Sequence, residues 1–404
     1  MAHSFMYIAD GILYCFEDGK SAELRSGVLD DYLKKVRESA ERNEWKRSGQ
    51  GAAFTGTYEA GADAASRVAA VSSRVCCAGR YGADTVYSLA IDRTAGIYRK
   101  FGAEGGKEGI VISSGDKAFG DFDIAGDRMV LSSSFAGESH IGVLDMKTSR
   151  CDYYTEGRSW DSQPTWSAVN ANHIYFSCAG LAVRQGEDEE AAQGESYADM
   201  LTRMYASSAP VLRGPASICL LDIGRGTMDE LMSDSKYDFV KPQSAADGSL
   251  YYIRKPYDTG KNSPRAGGCL VDTLLLPFRL VMAIFNFFNV FSAKYSGKTL
   301  TRAGDVKNRD EQKMRIDGNL INAEAELKAN RDRGDRNPGI IPHTWELRRR
   351  RADGNDELVR RGVVAYRVDK NGDILVSNGT AILRMTAEGQ EEKLVDAPHV
   401  TFIG

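Results

Sequence analysis

The sequence has few of the residues from which catalytic and metal sites are commonly built. Five histidines occur in 404 residues, and no two of them stand at the spacing of a metal-ligand pair. The nucleophile elbow, the Walker loop, the H-E-x-x-H helix and the dinucleotide fingerprint are all missing. The sequence therefore predicts no catalytic residue, no cofactor and no metal site. Because dispersed loops can still assemble a site at a channel mouth, a hydrolase or a lyase remains the less favoured alternative.

Cysteine usage gives no disulfide framework. There are seven cysteines, an odd number without regular spacing, and Cys15, Cys178 and Cys219 fall in expected strands, where a thiol acts as a small core residue. The first residues, MAHSFMYIADGILYCF, lack the basic start and the continuous apolar run of a signal peptide. These features predict a reducing, cytoplasmic location.

Neither positive nor negative charge is in large excess. The chain has 52 basic and 56 acidic residues, so its formal net charge is -4. Such a balance gives no reason to expect a nucleic-acid partner.

What the sequence has instead is a recurring pair of strands. An apolar stretch, a polar turn and a β-branched or aromatic stretch follow one another from Thr165, from Asp238 and again from Val363. One such unit cannot bury its apolar face alone, and four-stranded units repeating every 40–50 residues or so are typical of β-propellers. The pattern predicts an all-β, six-bladed β-propeller that occupies residues 1–404 as a single domain.

Ring closure follows from the two ends of the chain. The last residues, PHVTFIG, form a short apolar strand that has no place in the sixth blade, while the first blade lacks an innermost strand. Unpaired strand edges are costly, so we expect the C-terminal strand to complete the first blade.

The fourth blade resembles a known repeat. Its segments QPTWSAVNANHIYFSCAG and ICLLDIGRGTMDELM are similar to the TolB-type, WD40-like repeat, in which P-x-W-S precedes two strands and a D-x-x-x-G turn. The matching positions are Pro164, Trp166, Ser167, Ile174, Phe176, Ser177, Asp222, Gly226 and Leu231, and in the fifth blade Pro242, Asp247, Gly248, Leu250 and Tyr252. Asn170-Ala171-Asn172 departs from the Asp-Gly turn of the pattern. The resemblance implies a propeller fold; known members are mostly periplasmic or secreted scaffolds and side-domains of peptidases.

Three insertions interrupt the repeat, at 26–66, 182–215 and 257–341. They fall between second and third strands or between consecutive blades, and both kinds of connection emerge on one face of a propeller. Long loops gathered on a rigid frame are where binding residues concentrate. The sequence thus predicts a non-enzymatic scaffold that recruits partner proteins into a larger assembly through this decorated face.

The third insertion carries the most hydrophobic stretch of the chain, 269–291. Read as a helix it is apolar nearly all round, and such a helix must be buried somewhere. The candidate partner-binding residues on it are Leu276, Phe278, Leu280, Ile284, Phe285, Phe287, Phe288 and Phe291. Docking on a partner or on the protein's own face is favoured; a helix lying in a membrane interface is the alternative, and a true membrane span is disfavoured because the segment leaves and re-enters one blade.

Two smaller features complete the prediction. The first insertion should contain a helix that either packs on the propeller or presents Tyr32 and Trp45 to a partner, and the second opens with an acidic stretch followed by a possible short helix. An outer hairpin carries a basic patch that could meet nucleic acid or acidic lipid, or could simply be a solvated strand protected by its charge. Its residues are Arg348, Arg349, Arg350, Arg351, Arg360 and Arg361.

Overall fold

The chain folds almost entirely into β-strands. The computed structural model describes residues 4–42, 73–91, 94–102, 106–183, 211–257, 313–317, 319–369, 371–386 and 389–404. Within these ranges there are 27 strands and two helices. The all-β class that the sequence predicts is confirmed, and the count of six blades stays a prediction.

The elements follow one another along the chain in short, regular steps. The strands of the first half are β1 (Phe5–Ala9), β2 (Ile12–Glu17), β3 (Lys20–Glu23), β4 (Arg74–Tyr81), β5 (Asp84–Ile91), β6 (Thr94–Lys100), β7 (Glu108–Ser114), β8 (Ala118–Ala125), β9 (Arg128–Phe135), β10 (Glu138–Asp145), β11 (Cys151–Tyr153), β12 (Ser159–Trp166) and β13 (His173–Val183). Those of the second half are β14 (Val211–Arg213), β15 (Ser217–Asp222), β16 (Thr227–Met232), β17 (Tyr237–Ser244), β18 (Leu250–Pro256), β19 (Lys313–Ile316), β20 (Asn319–Asn322), β21 (Glu346–Arg350), β22 (Asp356–Arg361), β23 (Ala365–Val368), β24 (Ile374–Ser377), β25 (Ala381–Met385), β26 (Glu391–Asp396) and β27 (Val400–Ile403). Helix α1 spans Gly27–Arg42 and helix α2 spans Ala323–Asp332.

Antiparallel sheets of four strands are the repeating unit. Four separate sheets have the orders β27-β1-β2-β3, β4-β5-β6-β7, β17-β18-β21-β22 and β23-β24-β25-β26. A larger sheet contains two further runs, β8-β9-β10-β11 and β12-β13-β15-β16, which are joined where β10 and β12 run parallel at Ser139 and Trp160. From the sequence we expect three strands in the second unit, over Ser72–Gly79, Thr85–Asp92 and Ile97–Phe101, and β7 is a fourth strand that this expectation lacks.

The two ends of the chain meet in the first sheet. Strand β27 pairs antiparallel with β1, with Tyr7 opposite Ile403. Met6 and Gly404 exchange two backbone hydrogen bonds, of 3.0 and 2.8 Å. Val400 and Ile403 are buried in one apolar cluster with Phe5, Tyr7 and Phe16 from β1 and β2. The C-terminal strand therefore covers what would otherwise be an exposed edge of β1.

Apolar residues alternate with the strand pleat and pack between neighbouring sheets. One cluster joins Cys77 and Val86 of the β4–β7 sheet to Phe122, Met129 and Leu131 of the next. Helix α1 is attached to the same region, because Ser26 Oγ accepts the Leu29 amide at 3.2 Å and the Tyr87 hydroxyl at 2.8 Å. Packed residues of the sheets thus hold the start of the first insertion.

Candidate functional site in the central cavity

A cavity of about 1130 Å³ lies where six strands from five sheets face one another. Its wall is formed by residues of β4, β8, β12, β17, β23 and β27. Each of these is the first strand of one four-stranded run, and they are called the innermost strands below. Charged and polar side chains line it along with apolar ones. A cavity of this size is slightly larger than most small-molecule sites and has room for a small ligand.

The innermost strands β12 and β17 carry matching irregularities. Their pairing with the next strand shifts register between Ser162 and Thr165, and between Val240 and Gln243. Gln163 and Lys241 have positive φ angles of 55° and 56° there. Each of the two is directly followed by a proline. A bulge tolerates proline, because a residue in a bulge does not need to donate a hydrogen bond to the neighbouring strand.

The bulges bring two polar side chains to the cavity wall and fix both. Gln163 Oε1 accepts the backbone amide of Lys241 at 2.8 Å and the hydroxyl of Ser177 at 3.3 Å. The Lys241 ammonium donates to the carbonyls of Val364 at 2.8 Å and Thr401 at 3.1 Å. Non-glycine residues at positive φ cost about 1–3 kcal/mol each and persist only where surrounding contacts hold them. These contacts link β12 to β17, and β17 to β27 and to the start of β23.

Strand β8 has a bulge of its own, at Gly120 and Asp121. A Cβ atom on Gly120 would lie 2.8 Å from Ser132 Oγ, which explains why glycine stands there. The Asp121 amide donates to the same oxygen at 3.1 Å, and this contact fixes the backbone so that the carboxyl group lines the cavity. Burial raises the pKa of Asp121 to about 6, although the positive charge of Lys241 acts in the opposite direction.

One end of the cavity is lined by the hairpin β19–β20, which belongs to the third insertion. Met314, Ile316 and Asp317 of this hairpin contribute to the wall. Ile316 and Ile321 are buried against Trp345 and Val364, so the hairpin is packed onto the propeller frame. It is a structural part of the cavity and not a surface loop.

The tip of the hairpin is held by two lysines. Lys255, which is 5% exposed, donates to the Asp317 backbone carbonyl at 2.7 Å, and its ammonium lies 3.4 Å from Asp317 Oδ2. The Lys241 ammonium lies 3.7 Å from the same carboxylate. Burial alone would raise the pKa of Asp317, but the charges of Lys241 and Lys255 outweigh it and lower the pKa to about 2. Asp317 is therefore ionised at neutral pH.

The ends of the second and third insertions meet beside this hairpin. The Tyr257 hydroxyl, at the start of the third insertion, donates to the carbonyl of Arg213, at the end of the second. The positive charge of Arg213 also contributes to the low pKa of Asp317. The chain thus leaves and re-enters the frame close to one mouth of the cavity.

Six aspartates line the cavity: Asp10, Asp121, Asp123, Asp317, Asp369 and Asp373. Asp123 accepts hydrogen bonds from Thr165 Oγ1 at 3.0 Å and from the amides of Trp166 and Ile124, both at 2.9 Å. Asp317 is paired with Lys241 and Lys255. Asp121, in contrast, has no ion-pair partner within 4 Å among the described residues.

The residues predicted for partner binding fall mostly beyond the described ranges. Trp45 and the whole apolar stretch 269–291, with its eight candidate residues, lie outside the described residues. Tyr32 is described: it lies on α1 and packs, partly buried, against the cluster of Met6, Ile8 and Leu13. The proposed role of these residues stays a prediction.

The predicted basic patch lies on β21, β22 and the turn between them, and its charges have partners. The contacts are Arg348 with Glu346 and Asp356, Arg349 with Asp247 and Glu357, Arg351 with Glu357, Arg360 with Glu391, Arg361 with Glu346, and Arg350 with the Leu231 carbonyl. Pairing of this kind reduces the field that would attract a polyanion.

Other classes of site are not found in the described part of the chain. Within the described ranges, no group of three or more histidine, cysteine or acidic side chains could hold a metal ion. The six described cysteines are free thiols. Neither described helix is long and apolar enough to cross a bilayer.

Comparison with known proteins adds information on the fold. No family model and no curated protein matches the chain. TolB from Acinetobacter baumannii matches at 8% identity over 99% of this chain and 65% of that chain, with a TM-score of 0.47. The nidogen/laminin complex matches at 7% identity over 100% and 97%, also at 0.47, and the tricorn protease at 11% over 100% and 35%, at 0.41.

The chain is similar to TolB-type β-propellers at the level of the fold, which is the resemblance predicted from P-x-W-S and the turns that follow it. The chain spans about two thirds of TolB and about a third of the tricorn protease. At identities near 10% the likeness concerns the fold alone.

The sequence reasoning missed the residues of the cavity. Asp121, Lys241, Lys255 and Asp317 come from β8, β17, β18 and the hairpin, and none belongs to a short motif. One signal was available: Gln163 and Lys241 both directly precede the prolines of the repeat. A residue before proline in an innermost strand is a candidate for a bulge that faces the channel.

Proposed function

We propose that the chain is a single closed six-bladed β-propeller that recruits a protein partner through the face carrying its insertions. The observation that carries the proposal is the meeting of the second and third insertions at one mouth of the cavity, where Tyr257 contacts Arg213 and Arg213 acts on Asp317. Long connections grouped on one side of a rigid frame are suited to binding.

The anchor in this proposal is the hydrophobic stretch 269–291. It lies in sequence between Tyr257, which directly follows β18, and Lys313, the first residue of β19. A segment with this many phenylalanines has a strong tendency to leave water. We propose that it docks on a partner protein as an apolar helix in a groove.

The test is site-specific photo-crosslinking in cells of the source organism. A photoreactive residue at position 287 should give one adduct of defined mass, whereas the same residue at Ile110, an exposed outer-strand position of the frame, should not. The crosslinked protein, once identified and purified, should form a stable complex with the full chain. Replacing 267–297 by a glycine-serine linker should abolish that complex.

Two results would overturn the proposal. If the linker variant fails to fold, the stretch belongs to the protein's own core. If the full chain floats with liposomes and the double variant Phe287→Asp, Phe288→Asp does not, the stretch is a membrane anchor instead. Equal thermal unfolding of the linker variant and the full chain, with loss of the complex, supports recruitment.

A further inference from the structure

We propose that the central cavity is a separate binding site for a small organic cation, and that Asp121 binds its ammonium or guanidinium group. This site does not depend on the apolar stretch of the third insertion. Asp121 differs from Lys241 and Asp317 in the contacts that the protein makes with its charge.

The protein contacts of the Asp121 carboxylate are incomplete. The backbone amide of Gln163 favours its charged form and lowers its pKa, but no cationic side chain of the described residues lies within 4 Å of it. A carboxylate surrounded by protein is strongly destabilised unless charged donors satisfy it. A ligand that brings a cationic donor supplies the missing contact.

The neighbouring lysine cannot supply it without breaking other contacts. The Lys241 ammonium is already bound by the carbonyls of Val364 and Thr401 and paired with Asp317. Lys241 is also tethered at its backbone, since its amide donates to Gln163 and its carbonyl accepts the Tyr366 hydroxyl at 2.6 Å. The positive charge of Lys241 favours ionisation of Asp121 without direct contact, but the hydrogen bonds of the lysine are made with other residues.

The remaining groups that face Asp121 leave its charge available. Asp317 is neutralised by Lys241 and Lys255. Cys77 of β4 is buried, and burial raises the pKa of its thiol well above the usual value, so this side chain is uncharged. At neutral pH the carboxylate of Asp121 is therefore a charged acceptor that a ligand in the cavity can bind directly.

The construction of β8 favours a binding role over a structural one. Gly120 and the two hydrogen bonds to Ser132 hold a bulge whose effect is to direct Asp121 inward. A protein that keeps an uncompensated carboxylate loses stability by doing so, and such losses are typical of functional sites. The space of about 1130 Å³ in front of it accommodates a ligand of several carbon atoms.

Agmatine, which has a guanidinium group at one end and a primary ammonium at the other, is the probe. Calorimetric titration of the full chain at pH 7.5 should show saturable binding, and butylurea, a neutral molecule of similar shape, should not bind. Asp121→Asn should weaken binding by at least about tenfold, the loss of one charge-assisted contact. Asp10→Asn, which removes the same charge from another part of the cavity wall, should change the affinity less than about twofold.

The pH profile gives an independent measure. With a pKa of about 6, Asp121 is almost fully ionised at pH 7.5 and about one tenth ionised at pH 5, so the affinity of wild-type protein should fall about tenfold between them. In Asp121→Asn the residual affinity should not follow this profile. The proposal is overturned if agmatine does not bind at pH 7.5, or if wild type and Asp121→Asn bind it equally. Equal binding would mean that agmatine is an adventitious additive only, bound without Asp121.

A stability measurement separates the binding role from a structural one. Because asparagine keeps an oxygen that can accept the Gln163 amide and removes the uncompensated charge, Asp121→Asn should unfold at the same temperature as wild type or higher. A large drop would show that Asp121 serves the fold, and the binding site would then be rejected. These results do not depend on the outcome of the photo-crosslinking experiment, so the two proposals can fail separately.

Discussion

The pairing of Asp317 with two lysines leads to a quantitative prediction about the hairpin β19–β20. Asp317→Asn is a clean perturbation, since asparagine has the same shape and tolerates the positive φ of 47° at this position. The substitution removes the negative charge from between Lys241 and Lys255 while leaving hydrogen-bonding atoms in place. Lys255, being nearly inaccessible to solvent, is then left with an uncompensated charge.

The size of the effect follows from the pKa. Lowering the pKa of Asp317 from 3.8 to about 2 corresponds to about 2.5 kcal/mol of stabilisation at neutral pH. Loss of one partner of a buried pair commonly costs about 3–5 kcal/mol, so this figure lies slightly below that range. Opening of the hairpin should become about 60-fold more frequent in Asp317→Asn.

Hydrogen exchange measured by mass spectrometry over residues 313–322 tests this directly, because it reports local opening whether or not the whole chain unfolds. The matched control is Asp353→Asn, in the turn between β21 and β22, where the carboxylate accepts one amide and is exposed. It should leave exchange in the hairpin unchanged and stability within about 0.5 kcal/mol.

The direction of the pH dependence is fixed by the lowered pKa. A carboxylate whose folded-state pKa lies below its unfolded value stabilises the fold above about pH 4, and this contribution is lost as the pH falls through about 2. The difference between wild type and Asp317→Asn should therefore shrink below pH 4 and vanish near pH 2. Equal protection at pH 7, or a difference that persists at pH 2, would refute the assignment.

Two further predictions concern the frame around the cavity. Asn330→Ala should lower the free energy of unfolding by about 1–3 kcal/mol in urea titration, because the buried amide donates to the carbonyls of Gly339 and Ile341, which would lose their donor. Removing residues 398–404 should expose the edge of β1 and cause unfolding or self-association, visible by circular dichroism and size-exclusion chromatography. A monomer with unchanged unfolding temperature would contradict the role assigned to β27.

The sheets could be predicted because their signals are local. In β13, Ile174 and Phe176 are fully buried, and His173 and Tyr175 before them are less buried, which is the period that a strand imposes. Strand β7 was missed because the glycines at 105 and 106 and the charged residues 107 and 108 obscure its start. The TolB-type resemblance was visible for the same local reason, since its motif spans one turn and two strands.

The cavity could not be predicted because its contacts are distant in sequence. Lys255 and Asp317 are 62 residues apart, and Lys241 reaches Thr401 across 160 residues. Asp317 is the first residue of an Asp-Gly turn. In most hairpins the residues of such a turn serve only to form the turn. Only the folded chain brings that turn against two lysines.

Bulges in three of the innermost strands, β8, β12 and β17, explain why residue type alone does not reveal a site. Each brings a polar residue to the wall of one cavity, yet Gln163 joins two sheets, Lys241 holds a hairpin tip, and Asp121 is left without an ion-pair partner among the described residues. The three side chains differ in their surroundings. Those of Gln163 and Lys241 find hydrogen-bond partners on neighbouring strands, whereas that of Asp121 faces the open space of the cavity. A polar residue at such a bulge is therefore structural when its hydrogen bonds are filled, and a candidate for ligand binding when they are not.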